Sequence, residues 1–419
     1  MAPVPGRPDV VRLLIEAPFE EVTIDGLVPG GVVEPETAEE AAALLAESVR
    51  RGFACAPVGG GTKLALGNPP ERLDVVLSTR RLGGVIDYVP TDLVLSVGAG
   101  ARNGDVRAVL AEHGQHLPID APAEATIGGL IATALAGPRR LGYGTLRDLL
   151  IGIAVAHPVG TVTRAGGMVV KNVSGFDLPR VYHGSLGTLG VIVSANFKVL
   201  PAPRHETTLL VDFDALPDAL AAAGRIRGSS LRPTALEVTN SGGAWGLAVR
   251  LDGRPDTLTG SADEARRLSV ADARTIEGGE SAAWWDDYLA AQDLRLGPGE
   301  ALLRASVRPR DTATLVEGAV TAFSRIGLGL PPIFASPALG SLVVKIRPGG
   351  NEPAAMLAET LGLLGALADH ASVLAAPVAW KHGIDVWGKA PETLDLMRAL
   401  KTQFDPARVL NPGRFVGFI

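Results

Sequence analysis

The stretch Pro57-Val58-Gly59-Gly60-Gly61-Thr62-Lys63 decides how this chain is read. It closes the run Phe53 to Val58, which reads as a strand, so three consecutive glycines leave a strand end and lead to a lysine. Glycine has no Cβ to hold the backbone off a ligand and tolerates positive φ, so its N–H groups can converge on an anion. A phosphate-cradling loop is one reading, and a plain flexible turn is the other. A second glycine-rich region favours the first. Thr126 is placed to cap a helix whose first turn is Ile127-Gly128-Gly129 and which runs on through Thr133, which implies another set of free N–H groups. The segment Leu117-Pro118-Ile119-Asp120 precedes that helix, Gly142-Tyr143-Gly144 follows it, and Gly184 to Ile192 again sets glycines at a strand entrance. Two phosphate-sized cradles suggest a pyrophosphate.

Neither a G-x-G-x-x-G turn nor a true Walker loop occurs, so the common nucleotide folds are not indicated. Gly383 to Ala390 approaches the Walker spacing, but its interior is bulky and it ends in alanine. Around the glycine loops the pattern is mixed α and β. Thr37 to Gly52 is the clearest helix, with Thr37 as cap, Glu40 closing a capping box and Gly52 as stop. Strand-like runs follow at Val75 to Leu77, Val85 to Val89 and Leu93 to Val97, then a helix at Asn103 to His113. Beyond about residue 205, alanine- and leucine-rich helices alternate with short strands at Ala235 to Val238, Gly246 to Leu251, Ala301 to Val307 and Leu342 to Ile346, which reads as a second α+β unit. The tail carries one amphipathic helix ended by Asp405-Pro406.

Composition narrows the function classes. The chain has 419 residues, 47% hydrophobic and 20% charged, with a net charge of −6, which fits a folded protein of two or three globular units. The acidic balance and the absence of any basic cluster longer than a pair argue against nucleic acid. A single cysteine, Cys55, cannot support a disulfide framework, a thiolate zinc site or an iron–sulfur cluster. No leader-like segment opens the chain, and the longest apolar run, Leu149 to Ala156, is too short to span a bilayer, so a cytoplasmic protein without direct membrane insertion is expected. His113 and His116 straddle a helix stop at Gly114 with no third ligand nearby, and no metal site is expected.

The glycine elements, in this order and spacing, resemble the FAD-binding domain of the vanillyl-alcohol oxidase (PCMH-type) flavoprotein superfamily. Within it, Lys171 to Leu178, Gly184 to Gly190, Asp385-Val386-Trp387-Gly388 and the ending FDPARVLNPGR look most like the FAD-binding subunits of bacterial glycolate oxidases. The resemblance implies an α+β fold: a PCMH-type FAD-binding domain of two α+β subdomains over residues 1–204, an α+β cap or substrate domain over 205–384, and a C-terminal segment, 385–419, returning to the FAD domain. It implies FAD as cofactor. Its contacts would come from Pro57, Gly59, Gly60, Gly61 and Thr62, then from Pro118, Ile119, Asp120, Thr126, Ile127, Gly128, Gly129, Thr133 and Tyr143. Gly190, Val191, Ile192, Lys171 and Asn411 complete that set. The implied activity is FAD-dependent oxidation of a small 2-hydroxy acid to a 2-oxo acid, within a complex that adds a paralogous flavin subunit and an iron–sulfur subunit. The alternatives are a self-sufficient FAD-dependent hydroxy-acid or alcohol dehydrogenase, and a non-catalytic electron-transfer or scaffold subunit.

For catalysis the sequence offers less. Hydroxy-acid flavoproteins of the superfamily carry a Gly-Asp-Gly-Asn-x-His segment in the cap, and this chain has none. The remaining candidates are Arg304 and Arg308 on an expected cap strand, either able to clamp a carboxylate, and His382 as a base; the plainer reading of each is a solvated charge. Some relatives link flavin through a histidine after the glycines or a cysteine in the second loop. Here the first position is Thr62 and the second loop lacks cysteine, so noncovalent FAD is expected. Acid precipitation of the yellow protein should leave all flavin in the supernatant; a yellow pellet would contradict this.

Overall fold

A computed structural model describes residues 22–168, 177–240 and 244–419. Helix α1 (Ala38–Arg51) starts where Thr37 Oγ1 accepts the Glu40 N–H at 3.1 Å, and Gly52, at φ +68°, ends it. The reciprocal arm of the capping box is displaced by one residue, because the Glu40 carboxylate accepts from the Glu36 N–H at 2.8 Å and not from Thr37. The chain runs from β1 (Gly31–Val33) through α1 to β2 (Cys55–Val58) and then β3 (Val75–Ser78), forming a parallel sheet of order β1-β3-β2. The crossover through α1 lets β1 and β2 run in the same direction on either side of β3. The buried face of α1, with Ala41, Ala42, Leu44 and Leu45, shares one core with Val75 and Leu77 of this sheet.

That same core takes in Ala154, Ala156, Val191 and Val193 from a second sheet, so α1 is sandwiched between the two. The second sheet is antiparallel, built from β4 (Val85–Val89) and β5 (Val94–Gly98), then β7 (Leu150–Ala156), β8 (Val162–Gly166) and β9 (Val191–Lys198) in the order β4-β5-β9-β7-β8. The short β6 (Gln115–His116) pairs with β10 (Leu200–Pro201) beside it. Helices α2 (Asn103–Ala111) and α3 (Ile127–Thr133) cover its other face through Val106, Leu110, Leu130 and Ile131. The four-residue helix α4 (Arg140–Tyr143) follows.

Residues 205–375 supply an eight-stranded antiparallel sheet. Its strands are β11 (His205–Phe213), β12 (Ala235–Thr239), β13 (Trp245–Gly253), β14 (Ala273–Glu277), β15 (Ala301–Ser306), β16 (Ile333–Ser336), β17 (Ser341–Ile346) and β18 (His370–Ala375), in the order β14-β11-β13-β12-β16-β17-β15-β18. Side chains alternate between its faces. Leu236 and Val238 of β12, with Leu303 and Ala305 of β15, enter the core made with helices α5 (Leu216–Arg227), α7 (Thr312–Arg325) and α8 (Pro353–Leu367). Glu237 and Arg304, one residue out of phase, take the opposite face. There helix α6 (Gly278–Ala290) brings Trp285 and Tyr288 against Ala235, Ala248 and Phe334.

The chain closes by returning to the first sheet. After helix α9 (Leu394–Phe404), the buried Asp405 accepts from Lys401 Nζ at 2.7 Å and from the N–H groups of Val409 and Leu410 at 3.1 and 2.8 Å. The turn so made lies along β2: Cys55 N–H donates to Val409 O at 2.6 Å and Asn411 N–H donates to Cys55 O at 3.0 Å. No helix among the described residues is long and apolar enough to cross a membrane. Asp405→Ala would leave a buried ammonium and two buried amides without their acceptor, and removing one partner of such a pair typically costs about 3–5 kcal/mol. Urea unfolding of the variant should show its midpoint lowered accordingly, with an unchanged slope; an unmoved midpoint would show that the turn is not held by this carboxylate.

Candidate functional site

The first glycine loop leaves the end of β2 and presses on the loop that precedes α3. A Cβ on Gly59 would stand 1.9 Å from Thr126 Oγ1, and one on Gly60 would stand 2.2 Å from the Glu124 carbonyl oxygen. These two glycines are therefore required first for the seating of one loop on the other, and Gly60 N–H donates to Thr126 Oγ1 at 3.2 Å. Gly61 sits at φ +75°, which turns the chain back. The N–H groups of Gly59, Gly61 and Thr62 have no acceptor among the described residues.

Helix α3 departs from the expectation of a second free donor set. Ile127 N–H donates to Ala101 O at 3.0 Å and Gly128 N–H to Ala99 O at 2.8 Å, because the helix start is pinned to the chain just beyond β5. The free N–H of its first turn is that of Gly129. Gly128 serves close packing, since its Cβ would lie 2.8 Å from the Ala99 methyl.

Between these loops lies a narrow cleft of about 100 Å³ lined by Pro57, Gly59, Gly60, Gly61, Thr62, Thr126, Gly128, Gly129, Thr133, Gly190, Val191, Ile192 and Asn411. Among the described residues its lining holds Lys63 and Arg414 and no aspartate or glutamate. Unspent N–H groups, two cations and no opposing carboxylate make this wall suited to an anion, and the residues present fit a dinucleotide diphosphate. Asn411 Nδ2 and Arg414 also brace the wall, donating to the carbonyls of Leu186 at 2.6 Å and of Leu64 and Leu66 at 2.8 and 2.5 Å. Other residues named from the sequence lie elsewhere. Ile119 and Ile127 are in the core of the five-stranded sheet, Pro118 is buried beside Ile119 away from the cleft, and Tyr143 donates its hydroxyl to Asp252 Oδ2 at 2.7 Å. Lys171 lies outside the described residues. The Cys55 thiol is buried in β2, where burial pushes it up to about 12, so it offers no thiolate.

Lys63 and Leu130 form a wall shared with a second cavity of about 340 Å³, between the loops and the face of the eight-stranded sheet that carries α6. Asp120 lines this cavity rather than the cleft, and its carboxylate is held by Arg139 through the N–H at 2.8 Å and Nε at 2.7 Å. Arg304 reaches the same cavity from β15 beside Arg140 of α4, and among the described residues neither guanidinium has a hydrogen-bond or ion-pair partner. Burial and the Arg140 charge pull Arg304 down to about 10. Arg308 and His382 are not brought here. Arg308 lies past the end of β15, exposed and 3.6 Å from Asp311, and His382 is an exposed residue ending a short helix. His113 and His116 do not converge either, each setting its ring edge on a tyrosine, Tyr88 and Tyr143 respectively.

Sequence reasoning missed Glu237 and Arg140. Glu237 lines the cavity from β12, with Oε2 accepting from Tyr288 at 2.6 Å and Ser336 at 2.7 Å, while Oε1 has no partner. The signal was a charged residue at the centre of the apolar strand ALEVT; Arg140, in a basic pair on a loop, gave none.

Comparison with known proteins agrees with this geometry. A family model described as an FAD binding domain matches residues 29–166, and one described as the C-terminal domain of FAD linked oxidases matches residues 387–415. The glycolate oxidase subunit GlcE of Escherichia coli is 41% identical over 156 residues, covering 36% of this chain and 43% of that subunit. The glycolate oxidase subunit GlcD of Bacillus subtilis is 26% identical over 426 residues, covering 92% and 89%. A structure of p-cresol methylhydroxylase with substrate bound has the same fold, with a TM-score of 0.69 at 16% identity over 91% of this chain and 88% of that one. The chain belongs to the FAD-linked oxidase superfamily and is an FAD-dependent oxidoreductase. FAD is its cofactor. Gly60→Ala should displace the first loop from Glu124 and lower FAD content, read as the ratio of flavin to protein absorbance after purification. Full flavin occupancy in that variant would show that the seating of the two loops does not shape the cleft.

Proposed function

We propose that this chain is the FAD-binding subunit of a complex that oxidises a small 2-hydroxy acid to the 2-oxo acid, with the substrate held in the 340 Å³ cavity beside the glycine loops. The observation that carries this reading is the pair of unpartnered guanidiniums, Arg304 and Arg140, in a partly apolar cavity that adjoins the cleft. A buried cation without a carboxylate partner is costly, and a substrate carboxylate supplies the missing charge in planar, two-toothed geometry. The likeness to glycolate oxidase subunits supports a hydroxy acid as that carboxylate's bearer. When bound, FAD supplies the two-electron oxidant. Gly59, Gly61 and Thr62, with Lys63, would hold its diphosphate, and Leu130 would separate it from the substrate cavity.

Membership of a complex rests on the same likeness and on the chain's thiol inventory. Its single cysteine is buried in β2, so an onward iron–sulfur relay would come from a partner subunit, alongside a paralogous flavin subunit. Attachment to a membrane would likewise be through a partner.

Anaerobic mixing of the FAD-loaded chain with glycolate and with D-lactate should bleach the flavin absorbance. Arg304→Met should keep FAD but raise the substrate Kd about 10–100-fold, the loss expected for a charge-assisted contact. No bleaching by any 2-hydroxy acid, alone or with its partner subunits, would overturn the reading; so would an unchanged Kd in Arg304→Met.

A further inference from the structure

The superfamily resemblance leaves this chain without the cap histidine that would take the substrate's hydroxyl proton, and His382 lies outside the cavity. The cavity wall contains another group. Glu237 stands on β12, separated from β15 by β16 and β17, so three strand spacings, about 14 Å, part its backbone from that of Arg304. Both side chains leave the same face of the sheet, the one that α6 partly covers, and the Arg140 charge acts on each of them. A small acid gripped by Arg304 and Arg140 at its carboxylate therefore has its other end toward Glu237.

We propose that Glu237 is the proton acceptor for the 2-hydroxy acid that Arg304 and Arg140 hold, a catalytic residue of the reaction. This rests on the substrate class inferred under Proposed function. The substrate O–H bond breaks and its proton passes to the Glu237 carboxylate. The electron pair of the carbinol C–H bond departs as hydride to the FAD oxidant, and the C–O bond becomes the carbonyl. The carboxylate is prepared for this. Oε2 is fixed by the Tyr288 and Ser336 hydroxyls, and Oε1 is buried and unspent at the cavity wall.

A purely structural glutamate would be expected to have both oxygens satisfied or an arginine paired to it. Glu237 has neither, and burial raises its carboxyl to about 7, against the lowering by the two hydroxyls and by Arg140. The surrounding charges are accounted for. Asp120, whose charge opposes ionisation of Glu237, is neutralised by Arg139; Tyr288 of α6 is pushed well above its usual range by burial and stays a donor; Arg250 of β13 is occupied by Glu206. Lys63, Glu124, Asp286, Asp293 and Arg295 line other walls of the cavity, with Asp293 and Glu124 both paired to Arg295. A carboxyl that changes protonation near neutrality, on a residue lining a substrate-sized space and with one buried oxygen unpaired among the described residues, is what a general base requires.

The test uses the FAD-loaded chain. In the wild type, the rate of flavin bleaching by the hydroxy acid should rise with pH through a midpoint near 7. Glu237→Gln should lose that rise and be about 10²–10⁴-fold slower, the usual contribution of a positioned base. Ser336→Ala, which removes one hydrogen bond to the ionised form, should move the midpoint up by about one pH unit while leaving the fold intact. A readout independent of turnover uses oxalate as the probe: calorimetry near pH 7 in two buffers of different ionisation enthalpy should show proton uptake on binding to the wild type. That uptake should be absent in Glu237→Gln, which still binds oxalate. An unchanged pH profile in Glu237→Gln, an unmoved midpoint in Ser336→Ala, or equal proton uptake in wild type and Glu237→Gln would overturn the assignment and leave the substrate class standing. Failure of the wild type both to bind oxalate and to be bleached by hydroxy acids would instead remove the substrate class, and this proposal with it.

Discussion

The backbone pairing of the closing turn with β2 is the constraint on which the rest of the molecule depends. Cys55 and the segment Val409–Asn411 exchange two hydrogen bonds across some 350 residues of sequence, and Asp405 makes the turn possible by accepting three donors in a buried position. Loop closure over that length costs only logarithmically more than over a short one, so a few well-satisfied polar contacts are enough to hold it. From this anchor Arg414 runs beneath the glycine loop and donates to the Leu64 and Leu66 carbonyls, and Asn411 fixes the Leu186 carbonyl. Three segments far apart in sequence are thereby fastened at one end of the cleft.

The return of the chain also ties the eight-stranded sheet to the first unit. Asn68 Nδ2 donates to Asp385 Oδ1 and its own Oδ1 accepts from the Val386 N–H, while the buried Lys381 ammonium donates to Asp25 Oδ1 and to the Ala65 and Gly67 carbonyls. Buried ion pairs of this kind strongly resist being separated, because either partner alone would be stranded in low dielectric. This fixes the α6-bearing sheet face opposite the loops and gives the second cavity a defined shape. The division of labour follows the electrostatics. The cleft, with N–H groups and cations and no carboxylate among the described residues of its lining, suits a permanently anionic cofactor; the cavity, where Arg304 and Arg140 have no ion-pair partner among the described residues and Glu237 keeps one oxygen unpaired, suits a small anion that must also exchange a proton.

Local features of the chain were legible wherever the physics is local. The cap and stop of α1, the strands flanking the glycine loop, the strand β4 and the helix ended by Asp405 all follow from propensity, capping and punctuation, and the structure has them within a residue or two. The only misplaced detail of the α1 cap, the reach of Glu40 to Glu36 instead of Thr37, is a choice between two neighbouring amides that sequence spacing does not distinguish. The anion-suited cleft was legible too, because glycines lining it are unusual enough to mark themselves.

The inventory was readable from the chain: the elements, the glycine loops, the want of thiolates and the absence of the cap's usual histidine segment. Tertiary structure alone decided which polar groups are spent and which remain available. The Ile127 and Gly128 N–H groups are consumed by carbonyls just past β5, Tyr143 is consumed by Asp252, and Arg308 falls beyond the end of its strand, whereas Arg304 and Arg140 line a cavity without partners among the described residues and Glu237, lining it too, keeps one oxygen unpaired. The reason is that availability belongs to a pair or a surrounding and not to a residue. A donor or acceptor is free only when the other segments packed around it bring no partner, and those segments lie hundreds of residues away along the chain.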